Sequence, residues 1–194
     1  KRAFLADNNP SHDVRMGWLR ALERMMLDLR QPLRDAMSAD FNSHPELVTD
    51  LFETGGVLGR CRNAQVQLAD WMAPDERPLL DVVHGSSTCQ VMQQPKGVMG
   101  NISPWNFPIE CSLVMVCDML AAGNRVIVKM SEFAPATASV LQSRVGDYFS
   151  PDVLAIVTGD AAFSAYFAEM PWDHLTYTGN TKVGRLIMQA AAKN

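Results

Sequence analysis

From residue 97 onward the chain alternates four times between a short apolar or β-branched run and a longer helical stretch. "GVMGNI" precedes "IECSLVMVCDMLAA", and "RVIVKM" precedes "APATASVLQSRVGDYF". "VLAIVT" precedes "AAFSAYFAEM", and "HLTYTG" precedes "TKVGRLIMQAAAKN". The links are short, so each helix must return across the sheet to start the next strand. That pattern predicts parallel βαβ units and a doubly wound α/β sheet. Ligands of such sheets collect outside the carboxyl ends of the strands. Here those ends read "ISPWN", "VKMSE", "VTGD" and "YTGNTKVG".

The first part of the chain reads differently. Val14, Trp18, Leu19, Leu22, Met26 and Leu29 recur at helical steps. Pro32 suits the first turn of a second helix, "QPLRDAMSADF". Ser43 and Glu46 have capping-box spacing ahead of a third helix running through "LVTDLFETGGVLGRCRNAQVQLADWM". Gly55 and Gly56 inside it predict a kink or close packing. "APDERP" reads as a break, and "LLDVVHGSSTCQVMQQP" as a hairpin around its Gly-Ser-Ser turn. The expected division is a helical segment over 1–78, a hairpin over 79–95 and a cofactor-binding unit over 96–194.

With 47% hydrophobic and 20% charged residues, the composition is that of a globular protein. A net charge of -4 without a basic stripe argues against nucleic acid as a partner. The apolar stretch "CSLVMVCDMLAAG" is too short for a bilayer and contains Asp118, so no membrane partner is expected. The polar N-terminus has no signal-peptide core, and the spacing of Cys61, Cys89, Cys111 and Cys117 suits no metal. These features predict a cytoplasmic protein with reduced, mostly buried thiols and no metal site.

Three strand ends carry candidate chemistry. In "SPWNFP" two prolines flank Trp105 and Asn106 at a helix entrance. A rigidly held Asn106 amide can donate to a developing oxyanion, and a helix-capping role stands evenly beside that one. In "KMSE", Lys129 and Glu132 can donate to and accept from vicinal ribose hydroxyls. Taken alone, such a pair reads first as solvated surface charge. In "TGNTKVG", Gly179 permits a tight turn, and the new helix presents free N–H groups to an anion. Taken alone, this too is an ordinary strand-to-helix turn.

Together, "GVMGNISPWNFPIECSLVMVCDMLAAGNRVIVKMSEFAPATA" and "LTYTGNTKVGRLIMQAAAKN" resemble the NAD(P)-dependent aldehyde dehydrogenase superfamily. The opening "FLADNNPS" and "RMGWLRALERMMLDLRQPLRDAMSADF" are most similar to its coniferyl-aldehyde dehydrogenase group. The resemblance implies a Rossmann-like cofactor domain that uses NAD, with NADP as an alternative. It implies Asn106 as the oxyanion-hole amide, with Ile102, Ser103 and Trp105 bordering the cofactor and Lys129 and Glu132 on the adenosine ribose. It implies a nucleotide turn made of Gly179, Asn180, Thr181, Lys182, Val183 and Gly184, with Val183 against adenine. It also implies a small-molecule aldehyde as substrate, aromatic if the subgroup holds, and a homo-oligomer, dimer or tetramer, assembled through the hairpin.

Asn180 stands where the family usually has serine, and Asp160 and Ser164 stand where related sequences often have glycine. A carboxylate at Asp160 would weaken pyrophosphate binding if it faced the ligand. The resemblance places a thiolate nucleophile and a glutamate base downstream of the nucleotide turn, so these 194 residues are expected to lack both. Cys111 and Cys117 are expected to be core residues. A non-catalytic nucleotide-binding or interaction fragment, and an acylating dehydrogenase or reductase of the same fold, remain alternatives.

Overall fold

A computed structural model describes residues 1–193 of the chain. The helical part comprises α1 (Arg2–Ala6), α2 (His12–Asp28), α3 (Arg30–Phe41), α4 (Glu46–Val48), a π-helical turn (Thr49–Thr54) and α5 (Gly55–Met72). Next come β1 (Asp75–Arg77), α6 (Asp81–His84) and β2 (Cys89–Val91). The alternating part comprises β3 (Val98–Ile102), α7 (Glu110–Ala121), β4 (Arg125–Lys129), α8 (Pro135–Arg144) and β5 (Leu154–Val157). It continues through α9 (Ala161–Ala168), β6 (His174–Tyr177) and α10 (Thr181–Ala191).

All four alternating strands form one parallel sheet in the order β5-β4-β3-β6. The expected α/β architecture is therefore present. Its core is continuous with the N-terminal helices. Leu19, Leu22, Met26, Leu33 and Leu68 pack in one cluster with Leu113 and Val116 of α7 and with Val126 and Val128 of β4. The periodic face of α2 thus buries Leu19, Leu22 and Met26, while Val14 at its start stays exposed. The helix expected to reach residue 194 ends at Ala191; its last expected residue lies outside the described ones.

The glycine pair marks a change of helical pitch. The π-helical turn closes at Gly55, where a Cβ would stand 2.5 Å from the Asp50 carbonyl oxygen. At Gly56 a Cβ would lie 3.1 Å from Glu110 Cγ, so glycine there lets α5 approach α7.

Three local expectations are corrected. The hairpin exists, but its first strand is "DER", read above as a break: Asp75 pairs with Val91 and Arg77 with Cys89. The run "LLDVVH" forms a helical turn instead, with the Leu80 carbonyl accepting from Val83 and His84 N–H. The capping box does not form either. Ser43 adopts a left-handed conformation (φ 86°) and Pro45 occupies the N-cap of α4 without a side-chain bond.

Candidate functional site

The strand order reverses at β3: β4 and β5 lie on one side of it and β6 on the other. The carboxyl ends of β3 and β6 therefore diverge into different helices and leave a crevice between them. A cavity of about 1110 Å³ opens there, walled by α9 and α10 on one side and by the loop after β3 on the other. Of the residues singled out from the sequence, Ile102, Ser103, Trp105 and Asn106 line it from β3, and Lys129 and Glu132 from β4. Gly179, Asn180 and Val183 line it from the turn into α10. Thr181, Lys182 and Gly184 belong to the same turn but lie outside the cavity wall.

Lys129 is not a solvated surface charge. It ends an interior strand, registered with Ile102 of β3 and Val157 of β5, and its side chain is 2% exposed. A cation buried to that degree requires a partner. Lys129 Nζ donates to Glu132 Oε2 at 3.0 Å, and the Glu132 carboxylate stays about one-third exposed at the cavity edge. Burial opposes ionisation of Glu132, but its backbone N–H, the bond from Lys129 and the nearby positive charge outweigh it. The carboxyl lies below its ordinary range.

The turn into α10 wraps the Tyr177 ring. A Cβ at Gly179 would collide with the Tyr177 hydroxyl, and one at Gly184 would sit 3.3 Å from its Cε1. Asn180 caps α10, its Oδ1 accepting from Val183 N at 2.9 Å. That bond uses the carboxamide oxygen, so its N–H groups still suit an anion held at the helix end. Asp160 stands close enough for its charge to act on Glu132. It caps its own helix, with Oδ1 accepting from Phe163 N at 2.9 Å, and it lies outside the cavity wall, whereas Ser164 lines it.

Asn106 is not the cap of α7. The helix has no side-chain cap at its N-cap residue Ile109, and Asn106 stands exposed on the cavity wall. Glu53, 1% exposed in the π-helical turn, satisfies the helix end from across the core. Its Oε2 accepts from Ile109 N at 3.0 Å and Glu110 N at 2.8 Å. Desolvation pushes its carboxyl up to about 7 despite those two bonds. At the loop's other end, buried Ser103 receives a 2.7 Å bond from Ser112 Oγ, and its N–H reaches the Lys129 carbonyl at 3.1 Å. Between these anchors Trp105 stacks on Phe41 with centroids 6.4 Å apart. Sequence reasoning missed Glu53 because 56 residues separate it from the amide of Ile109 that it caps.

Cys111 is half-buried on the cavity wall rather than in the core. Burial and the adjacent Glu110 carboxylate push its thiol up to about 11. Cys61 and Cys117 are buried as expected, and Cys89 is exposed on β2, contrary to the expectation of mostly buried thiols. Among the described residues no three His, Cys, Asp or Glu side chains are grouped to hold a metal, and no helix is long and apolar enough to cross a membrane.

The chain is 34% identical to a probable coniferyl aldehyde dehydrogenase of Caulobacter vibrioides and 37% identical to one of Pseudomonas aeruginosa. The coniferyl aldehyde dehydrogenase of a Pseudomonas species is 36% identical. In each case all of this chain is covered and 40% of the relative, so the chain spans well under half of their length. Among solved structures, the substrate-bound state of Staphylococcus aureus AldH superposes with a TM-score of 0.95 at 22% identity, covering 100% of this chain and 42% of that one. The NAD+ complex of a Bacillus cereus aldehyde dehydrogenase gives 0.79 at 22% identity, covering 92% and 36%. The sequence model of the aldehyde dehydrogenase family matches residues 8–194, and the chain belongs to that family.

Proposed function

We propose that this chain is the cofactor-binding part of an NAD(P)-dependent aldehyde dehydrogenase, and that the cavity at the β3–β6 switch point holds the dinucleotide. The observation that carries this reading is the Lys129–Glu132 pair, a buried cation presenting a partly exposed carboxylate at the cavity edge. Lys129 would donate to one ribose hydroxyl of the adenosine half and Glu132 would accept from the other. The capped end of α10 would take the pyrophosphate, with the glycine at 179 allowing close approach of the backbone. Val183 would lie against the adenine, and Ile102, Ser103 and Trp105 would border the cofactor. When bound, the cofactor supplies a hydride acceptor.

Asn106 would donate to the oxygen of an aldehyde as negative charge develops on it. None of the four thiols suits nucleophilic attack at that point. Cys111 resists ionisation, Cys61 and Cys117 are buried, and Cys89 lies on β2 away from the cavity. The chain alone should therefore oxidise no aldehyde, and the nucleophile and base would come from the longer enzyme. The coniferyl-type relatives favour an aromatic aldehyde as its substrate.

Two variants of that enzyme test the reading. Asn106→Ala should lower kcat by roughly a hundred- to a thousandfold with little change in the KM for cofactor. Glu132 repels a ribose 2'-phosphate, so wild type should prefer NAD over NADP modestly, and Glu132→Gln should narrow that ratio. Full turnover in the first variant or an unchanged ratio in the second would contradict it.

A further inference from the structure

The loop that carries Asn106 is exposed in its middle yet anchored at both ends by buried polar groups. At the α7 end the anchor is one carboxylate oxygen of Glu53, which accepts from both Ile109 N and Glu110 N. Only Phe107 and Pro108 separate Asn106 from the first of those amides. The carboxylate is placed there by the π-helical turn, whose extra backbone residue per turn re-aims the side chain before α5 resumes α-helical pitch. Thr54 Oγ1 bonds the Asp50 carbonyl at 3.2 Å across that turn. The turn itself is tied to α3, because Asp50 is bound by both Arg30 and Arg34.

The cationic groups of the neighbouring elements are otherwise committed. Arg34 also binds Glu46 of α4, Arg60 of α5 binds Asp118, and His44 meets Thr49 Oγ1 at 3.0 Å. From α7, Glu110 and Cys111 face it. Among the described residues no cation forms an ion pair with Glu53. A buried, cation-free carboxyl is costly to keep for capping alone, since an amide side chain could accept the same two bonds without a charge.

We propose that Glu53 is a positioning residue: by holding the first amides of α7 it fixes the α7 end of the loop, residues 106–109, and with it the direction of the Asn106 amide, while Ser103 and Trp105 keep their own anchors. This rests on the reading of Asn106 as an oxyanion donor. Glu53 is not among the residues that line the cavity and acts through the loop. Its ionised form is the stronger acceptor for two amides at a helix N-terminus, so the loop is held more tightly as the carboxyl loses its proton.

The test is steady-state kinetics of the complete enzyme with NAD+ and an aromatic aldehyde, for wild type, Glu53→Ala, Glu53→Gln, Asn106→Ala and the Glu53→Ala/Asn106→Ala double variant. Glu53→Ala should lower kcat by roughly ten- to a hundredfold and leave the KM for NAD+ within about twofold. Glu53→Gln, which keeps an oxygen for both amides, should recover most of that loss. The double variant should be no slower than Asn106→Ala alone, because a displaced loop costs nothing once the amide is gone. Wild-type kcat should rise through pH about 7, where Glu53 ionises, and this step should vanish in Glu53→Gln.

Losses that multiply in the double variant, or full kcat in Glu53→Ala, would overturn the proposal and leave Asn106 its role. A silent Asn106→Ala would remove the Asn106 reading and this one with it. Should Glu53→Ala fail to fold, the pH profile of Glu53→Gln decides: loss of the step near pH 7 supports the proposal, and an unchanged step overturns it.

Discussion

The two flanks of the sheet are finished to different degrees. On the β4–β5 side, Leu113, Val126, Val128 and Leu141 are at most 1% exposed and share a core with Leu19, Leu22 and Leu68 of the N-terminal helices. On the β6 side, every residue of the strand is only half-buried. There α10 buries Ile187 alone, while Leu186 and Met188 are 58% and 69% exposed. The finished flank carries Lys129 and, across the core, the anchors of the Asn106 loop. The open flank carries the turn proposed to hold the pyrophosphate. A ligand bridging the two would draw its specificity from groups already fixed on the finished flank and would cover Leu186 at the cavity wall on the other.

Core truncation should show the contrast most strongly. Leu22→Ala should cost about 2–5 kcal/mol, whereas Ile187→Ala should fall at or below the low end of that range. Urea unfolding of the two variants checks this, and equal losses would break the comparison. The next effect is the pH dependence of stability. Glu53 has its folded pKa raised from 4.5 to about 7 by desolvation, so the native state holds that proton more tightly than the unfolded chain. Its stabilising contribution is full below pH 4.5 and is lost as pH rises through about 7. Over that window wild type should lose on the order of 1–3 kcal/mol relative to Glu53→Gln. Parallel stability curves would mean the carboxyl is not desolvated.

Smaller again is the contrast between two caps. Asp40 reaches from α3 to α8 and receives Ala136 N, Thr137 N and Thr137 Oγ1, all within 2.8 Å. Asn180 caps α10 by a single local bond. Asp40→Ala should cost about 2 kcal/mol and Asn180→Ala about 1 kcal/mol or less. Thermal melts would sharpen the picture if the order holds and weaken it if Asn180 proves the costlier loss.

The alternation of strand and helix was legible because it is local: β3, β4, β5 and β6 each fall inside the runs that predicted them. The same locality brought Lys129, Glu132 and Asn180 to the cavity, since a strand end next to a helix start is a sequence feature. Partnerships across the chain were not legible. "DER" has no apolar alternation, and it is a strand only because residues 89–91 supply its hydrogen bonds. "LLDVVH" looks like a strand, but it has no sheet face to pack on and leaves Val82 fully exposed. The burial of Lys129 follows from β3 and β5 flanking it, and the capping of α7 by Glu53 follows from the packing of the π-helical turn and α5 on α7. Neither can be read from spacing.

The central claim is that the cavity between β3 and β6 takes NAD+ through the Lys129–Glu132 pair. Calorimetric titration of NAD+ into the protein, wild type and Lys129→Met, tests it most directly. The account predicts saturable binding by wild type, weakened by roughly ten- to a hundredfold in Lys129→Met, which removes a charged donor but keeps the buried stem volume. Equal NAD+ affinity in the two proteins, both folded, would contradict it.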